Sequence, residues 1–356
     1  MPTDGDGGRP VPTAAVGATR RSWLPGLERP DDAVLSAQLL ADEVLARGYE
    51  VRWVHRACFL TQVDGRPVGF WCARTDLVSA VAEHLTTRKD LTTRVLEGHR
   101  VPTIKTWPHR TDERELAWQE HREEGVLVVK PARGSRGRGV TVGVTDLGAF
   151  TDAWASATAI DPDWVLVQPQ VRGHEVRCLV VQNRVVAAAV KRPPELTGDG
   201  THTIEELIAS INHRRRANRH LAELPLVIDE RRLKRLRDDG YGPTTVLPRG
   251  RRVVLDDSAA LTHGGTSHDV TTQLHAAHRS LAVRTAKCFP GLGIAGVDLV
   301  VEHVDAPSNS LVLEVNSMPG LGIHHFPYEG HAYPAARAVV EATLSSAVRT
   351  AGQVTG

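Results

Sequence analysis

An apolar strand, VLVV, delivers Lys130 into the run PARGSRGRG, which places Gly134, Ser135, Arg136, Gly137 and Gly139 in immediate succession. Glycines let the backbone approach phosphate oxygens, consecutive N–H groups can converge on them, and a lysine adds a mobile positive charge. The run lacks the GK[ST] start of a helix that a Walker loop requires, and it is not a dinucleotide fingerprint. A glycine-rich hairpin tip beside a lysine can be purely structural, so the loop needs a second element before it means chemistry.

That element lies far along the chain. IAGVDLVVEHV and LVLEVNSMPG read as two apolar strands carrying Asp298, Glu314 and Asn316. Side chains at i and i+2 share a strand face, so Glu314 and Asn316 project together; if the two strands are antiparallel neighbours, Asp298 joins them. Three oxygen donors with waters and phosphates suit Mg²⁺, with Mn²⁺ as a substitute. An acid inside a buried strand is costly unless paired or metal-bound, and the metal reading is preferred.

Other reactive side chains carry less. His324 and His325 invite a general-base reading, but a loop histidine is more often a shape or hydrogen-bonding contact, and the same holds for His263 and His268. The four cysteines Cys58, Cys72, Cys178 and Cys288 have no CxxC spacing, which points to reduced structural thiols rather than zinc or disulfides. Cys178 reads as core packing in an alternating strand.

The elements that must position these groups follow from pattern. At 356 residues the chain exceeds one compact core. Its 41% hydrophobic and 24% charged composition with net charge +1 favours neither wholesale nucleic-acid binding nor membrane attraction. No apolar run spans a bilayer and no secretory core is visible, so a cytoplasmic location is expected. Residues 1–28 read as a disordered leader. An α/β lobe is expected over 29–108, with a helix from Asp31 to Gly48, a strand EVRWVHR, a hairpin at Asp64-Gly65, a helix over Asp76 to Leu85 and a helix ending near Gly98. A lid and hinge are expected over 109–195, with a helix over Leu147 to Ala157 and a strand over Trp164 to Gln168. The lobe bearing the metal strands runs over 196–347, starting at a helix capped by Thr203 and Glu206, and 348–356 is a fraying tail. Between His213 and Arg252 twelve Lys or Arg face five Asp or Glu, which reads as a solvated helical face. Interleaved aromatics, which a single-strand nucleic-acid platform would need, are nearly absent there.

Loop and metal strands together resemble the ATP-grasp superfamily, over most of the chain. The resemblance implies an α+β / α/β ATP-grasp fold with an N-terminal pre-ATP-grasp lobe, a small lid and a C-terminal α+β lobe. Lys89 with Thr92 looks like the early Lys-x-x-Thr helix whose lysine reaches the phosphates. VLVQPQVRGHEVRCLVV looks like the hinge strand, with Gln168, Gln170 and Val171 near adenine, Glu175 at the ribose and Arg177 near the reacting phosphate. VVAAAVKRPPELTGDGTHTIEELI, LTHGGTSHDVT and EVNSMPGLGIHHFPYEG resemble signatures of the cyanophycin-synthetase-like ligase domains and the N-acetylglutaminylglutamine synthetases.

The resemblance implies an ADP-forming ligase: a carboxylate attacks the γ-phosphate, and an amine displaces phosphate from the acyl phosphate. ATP and Mg²⁺ on Asp298, Glu314 and Asn316 are implied, with Lys89 and Lys130 on the phosphates. Arg177, Lys191 and Arg192 are the candidates to hold the carboxylate and stabilise the oxyanion, a role typically worth ~3–4 kcal/mol per donor. Amino acids or short peptides are the implied substrates, with no nucleic acid and no membrane, and a homodimer is compatible. Gln168 replaces a hinge glutamate, and Asp256, Asp257 and Ala260 occupy neighbourhoods where relatives place a basic residue and an asparagine, so acceptor recognition is expected to differ. The additional domains of cyanophycin synthetase are not in this sequence, and repeated extension is not implied. A small-molecule kinase of the same fold, or a non-catalytic nucleotide-binding module, would keep the same loop and strands.

Overall fold

In the computed structural model the described residues are 28–354, with side chains described through 349, so the expected leader, apart from residue 28, lies outside them. Helix α1 (Leu35–Leu45) leads into a four-stranded antiparallel meander of β1 (Arg52–His55), β2 (Cys58–Val63), β3 (Arg66–Trp71) and β4 (Arg74–Thr75). Asp64 and Gly65 both take left-handed φ, 48° and 83°, the backbone that a tight two-residue hairpin requires. Helices α2 (Ala80–Thr87), capped by the Ser79 hydroxyl, and α3 (Lys89–Gly98) follow.

A second antiparallel sheet contains β5 (Trp107–Arg110), β6 (Leu127–Pro131), β7 (Thr141–Val144) and β8 (Trp164–Pro169) in the order β5-β8-β6-β7. Helices α4 (Arg114–His121) and α5 (Leu147–Thr158) cover one face, burying Phe150, Trp154 and Ala157 against Leu127, Val129 and Val167.

The chain then enters a different sheet. Strands β9 (His174–Val181) and β10 (Arg184–Arg192), which local pattern groups with the lid, pair with strands far downstream. After β11 (Glu195–Thr197) come α6 (Ile204–Ala217), capped reciprocally by Thr203 and Glu206, α7 (Glu230–Asp238), β12 (Arg252–Val254), β13 (Thr266–Asp269), α8 (Ala276–Lys287), β14 (Ile294–Val301), β15 (Ser310–Asn316), α9 (Gly322–His325) and α10 (Ala335–Val354). The five-stranded order is β13-β10-β9-β14-β15, every pairing antiparallel. A strand's own residues set which face is apolar but not which partner it meets, so the boundary at 195 cuts through this sheet.

One face of the sheet packs Val176, Cys178, Val297 and Leu299 on α8. At the other face, Leu179, Ala187 and Ile294 share a single core with α1, α10 and the meander, in which Phe59 and Phe70 stack at 4.8 Å. Helix α10 therefore continues past residue 347, through Val354. All four cysteines are unpaired, and no helix among the described residues is long and apolar enough to cross a membrane.

Candidate active site

Register assembles the site. Across β10, β9, β14 and β15, Lys191 lies opposite Glu175, Arg177 opposite Asp298, Asp298 opposite Glu314, and Gly296 opposite Asn316. Glu175 with Arg177, and Glu314 with Asn316, are i, i+2 pairs, so the pleat sends this set to one face. The antiparallel neighbourhood of the two metal strands expected from sequence is present.

Asp298 is fully buried. Arg177 grips it in bidentate fashion, through Nε to Oδ1 and through Nη2 to Oδ2 at 2.7 Å, and Lys191 Nζ approaches Oδ2 at 3.5 Å while pairing with Glu175. Burial opposes ionisation of Asp298, but Arg177 and Lys191 outweigh it and hold the carboxyl below its usual range. Burial likewise opposes the charges on Arg177 and Lys191, and the carboxylates overcome it, raising both. The burial of Asp298 is compensated by an arginine one strand away, a partner that local reading could not show. Gly296 makes room for it, since a Cβ there would lie 3.2 Å from Arg177 Nη1. Arg192, by contrast, is exposed at the end of β10.

Lys130, 5% exposed at the end of β6, is the opposite case. Its ammonium group has no hydrogen-bond or ion-pair partner among the described residues. Burial, then repulsion from Lys89, lowers its pKa to about 8 against partial relief from Glu314 and Glu175. Lys89, at the start of α3, donates from Nζ to the Gly134 carbonyl at 2.9 Å and stands 3.5 Å from Glu314 Oε1. It thereby brings the root of the glycine loop to the metal strand. Thr92 is inward and structural, its hydroxyl donating to the carbonyls of Leu85 and Arg88.

In the loop, Gly134, Arg136, Gly137 and Gly139 all have positive φ, so it is held in an irregular conformation. Gly139 is the most restricted, because a Cβ would lie 2.9 Å from both the Ser156 carbonyl oxygen and Ile160. The loop leans on the Gly-Gly turn: Thr262 Oγ1 donates to the Arg136 carbonyl at 2.9 Å, and Gly137 faces Ala260 and His263.

At the hinge, Gln168 is 4% exposed and donates to Thr106 Oγ1 at 2.6 Å, on the sheet face it shares with Lys130. The Gln170 N–H is held by the Val126 carbonyl at 2.7 Å, and its side-chain oxygen accepts from Gly143 N at 2.9 Å. Val171, like Arg172 after it, has no backbone hydrogen bond among the described residues.

Among the buried side-chain polar atoms of the described residues that lack a hydrogen-bond partner, two belong to this region, Asn316 Nδ2 and His324 Nε2. Burial, then Arg177, pushes the His324 imidazole down to about 3, which keeps it neutral and argues against a proton-cycling base near neutral pH. His325 Nε2 accepts from Ala336 N at 2.9 Å, and so caps α10. His268 sits between Thr266 and Glu329, whose carboxylate is 3.0 Å away.

The three oxygen-bearing side chains differ in how well they fit a divalent cation. Glu314 is partly exposed with only Lys89 in salt-bridge range, and the Asn316 amide is buried and unsatisfied; flipping it would offer Oδ1 at that position. Both fit a hard cation. Asp298 fits only by sharing oxygens already bound to Arg177.

The basic stretch 213–252 is also more than a solvated face. Arg215 is fully buried and donates to the carbonyls of Leu224, Leu261, Gly264 and Gly265. Arg232 holds Asp256 at 3.1 Å and the His263 carbonyl at 2.7 Å. These arginines shape the Gly264-Gly265 turn, and nothing in their local spacing sets them apart from exposed neighbours.

The chain has the α+β ATP-grasp fold. It superposes on a bifunctional glutathione synthetase from Pasteurella multocida with a TM-score of 0.64 at 22% identity, covering 89% of this chain and 45% of that one. By sequence it is similar to cyanophycin synthetases, 32% identical to that of Trichormus variabilis over 75% of this chain and 30% of that protein. The corresponding enzyme of Geminocystis herdmanii is 34% identical over 57% of this chain and 24% of its own length. A bifunctional glutathione biosynthesis protein from Clostridium perfringens is 27% identical over 84% of this chain and 40% of its length. The chain thus spans less than half the length of each of these curated relatives. No family model matches it.

Proposed function

We propose that the chain is an ADP-forming ligase that uses ATP to join an amino-acid or peptide carboxylate to an amine through an acyl phosphate. The observation that carries this reading is the uncompensated charge between the two sheets. Lys130 is buried without an anion in contact, and Lys89 spans Gly134 and Glu314. A polyphosphate at the glycine loop supplies the negative charge that Lys130 lacks, with Lys89 beside it between Gly134 and Glu314, because a buried cation without a partner is costly. The similarity to cyanophycin synthetases and glutathione-forming enzymes supports amide-bond chemistry.

In this reading the backbone of Gly134, Ser135, Arg136, Gly137 and Gly139 covers the phosphates, and Val171 with Gln170 meets the base. Glu175, steadied by Lys191, accepts from the ribose. Glu314 and Asn316, with Asp298 behind them, hold Mg²⁺ or Mn²⁺, which when bound neutralises phosphate charge. Arg177 Nη1, left free by the bidentate grip of Nε and Nη2 on Asp298, is the group placed to contact the transferring phosphate or the oxyanion. Asp298 then acts by fixing Arg177, and Lys191 by fixing Asp298 and Glu175. Arg192, exposed beside the Gly-Gly turn, is assigned to substrate carboxylate binding at the rim.

The deciding experiment incubates the protein with ATP, Mg²⁺ and pairs of amino acids or dipeptides, following ADP and product mass. Release of ADP only with both an acid and an amine, with a product lighter by one water than their sum, is the expected result. A phosphorylated hydroxyl product would make the protein a kinase. No stimulated turnover with any pair would overturn the ligase reading.

A further inference from the structure

The four-stranded sheet carries a second cluster of chemistry-bearing side chains, on its outer strand and two strands away from Lys130. His109 of β5 and His121, the last residue of α4, face each other with Nε2 to Nε2 at 2.9 Å, and each is 6% exposed. Trp107 stacks on His121 at 4.1 Å, and Trp154 stands 6.3 Å from His109, so the imidazoles have aromatic walls. Two carboxylates attend them. Glu120 Oε2 is 3.8 Å from His121 Nε2, and Glu113 Oε2 is 3.8 Å from His109 Nδ1.

A plain hydrogen bond between two neutral histidines accounts for the short contact. It does not account for the carboxylates. Glu113 is anchored by the Arg110 N–H at 2.7 Å, on the side of His109 away from His121. A carboxylate there favours the proton on Nδ1, which turns the Nε2 lone pair toward His121; this is the outer partner that metal-binding histidines commonly have. Glu120 stands on the Nε2 side of His121, half exposed and free to change rotamer. Nitrogen and oxygen ligand atoms from His109, His121 and Glu120 already lie within 4.8 Å of one another.

We propose that His109, His121 and Glu120 bind one borderline divalent transition-metal ion, zinc in class, in a site separate from the nucleotide-binding cluster. Tetrahedral zinc with bonds of about 2.0–2.2 Å sets its ligand atoms roughly 3.3–3.6 Å apart. The imidazoles must therefore separate by a few tenths of an ångström and Glu120 must swing inward, with water completing the shell. Two imidazoles select against Mg²⁺, which prefers oxygen. The ion would tie the end of α4 to β5 across the turn that joins them.

The test titrates the untagged, metal-free chain with Co²⁺ in excess Mg²⁺, reading visible absorption and tryptophan fluorescence, and then displaces the cobalt with Zn²⁺. One equivalent of tightly bound Co²⁺ with tetrahedral-type absorption is expected, with quenching that shrinks in Trp107→Phe. Affinity should fall by about tenfold or more in Glu120→Gln, an exposed position where folding is not at risk, and further in His121→Ala. His55→Ala, at an exposed histidine elsewhere, should bind as the parent does. Absence of stoichiometric uptake, or uptake unchanged in either Glu120→Gln or His121→Ala, would overturn the three-ligand site. Because excess Mg²⁺ occupies oxygen-donor sites and ATP turnover plays no part in the readout, the outcome is independent of the ligase proposal.

Discussion

Arg215 and Lys130 are both buried cations with no carboxylate in contact, yet their surroundings differ completely. Arg215 gives its donors to four backbone carbonyls and closes the Gly-Gly turn, whereas Lys130 has no acceptor among the described residues and is depressed to about 8. The first is complete as it stands. The second is the charge for which we propose an anion supplied from outside. Satisfaction of a buried charge, more than burial itself, separates architecture from a site awaiting ligand.

The largest effect that would sharpen this contrast is on turnover. Lys130→Met should lower ADP formation by about 10³-fold, roughly 4 kcal/mol of barrier, while thermal stability is unchanged or improved because an unpaired buried charge is gone. Glu314→Ala should behave alike in the turnover assay. Near-parental turnover in either variant would break the assignment.

Arg215→Met should show the reverse pattern. Four buried carbonyls lose their donor, and denaturant unfolding should register a loss of about 3–5 kcal/mol. An unchanged midpoint would remove Arg215 from the architectural class.

The titration of Lys130 provides a third test. Its folded pKa, about 8, lies below the ordinary lysine value of 10.5, so folding disfavours the charged form. The penalty is fully present below about pH 8 and disappears as pH rises toward 10.5, so this residue makes the protein more stable with rising pH in that window. Bound polyphosphate raises the pKa again. Calorimetry near pH 8.5 in buffers of different ionisation enthalpy should therefore show proton uptake on nucleotide binding, absent at pH 6.5 and abolished in Lys130→Met. The smallest effect is expected for Thr262→Val, which removes one hydrogen bond to the Arg136 carbonyl. About 0.5–1 kcal/mol, seen as a two- to fivefold rise in KM for ATP, would show that the Gly-Gly turn steadies the phosphate loop.

Much of this was legible from residue order. The Asp64-Gly65 hairpin, the Thr203–Glu206 capping box, α3 ending at Gly98 and the two apolar strands of Asp298 and Glu314 rest on interactions within a few residues. The proposal that the glycines beside Lys130 meet phosphate rests on the same kind of local reasoning. The pairing of Arg177 with Asp298, the hydrogen bond from Gln168 to Thr106, and the carbonyl clamp of Arg215 were not legible, because their partners lie 121, 62 and up to 50 residues away.

The sequence by itself determined which strands were apolar, where turns and caps fell, and which residue types could meet phosphate and metal. Those properties depend on period, backbone permissiveness and side-chain chemistry, all local. Only the tertiary structure decided which charges found partners. Register brought Arg177 onto Asp298 while Lys130 was left facing the gap between two sheets, and desolvation then made the difference energetically large.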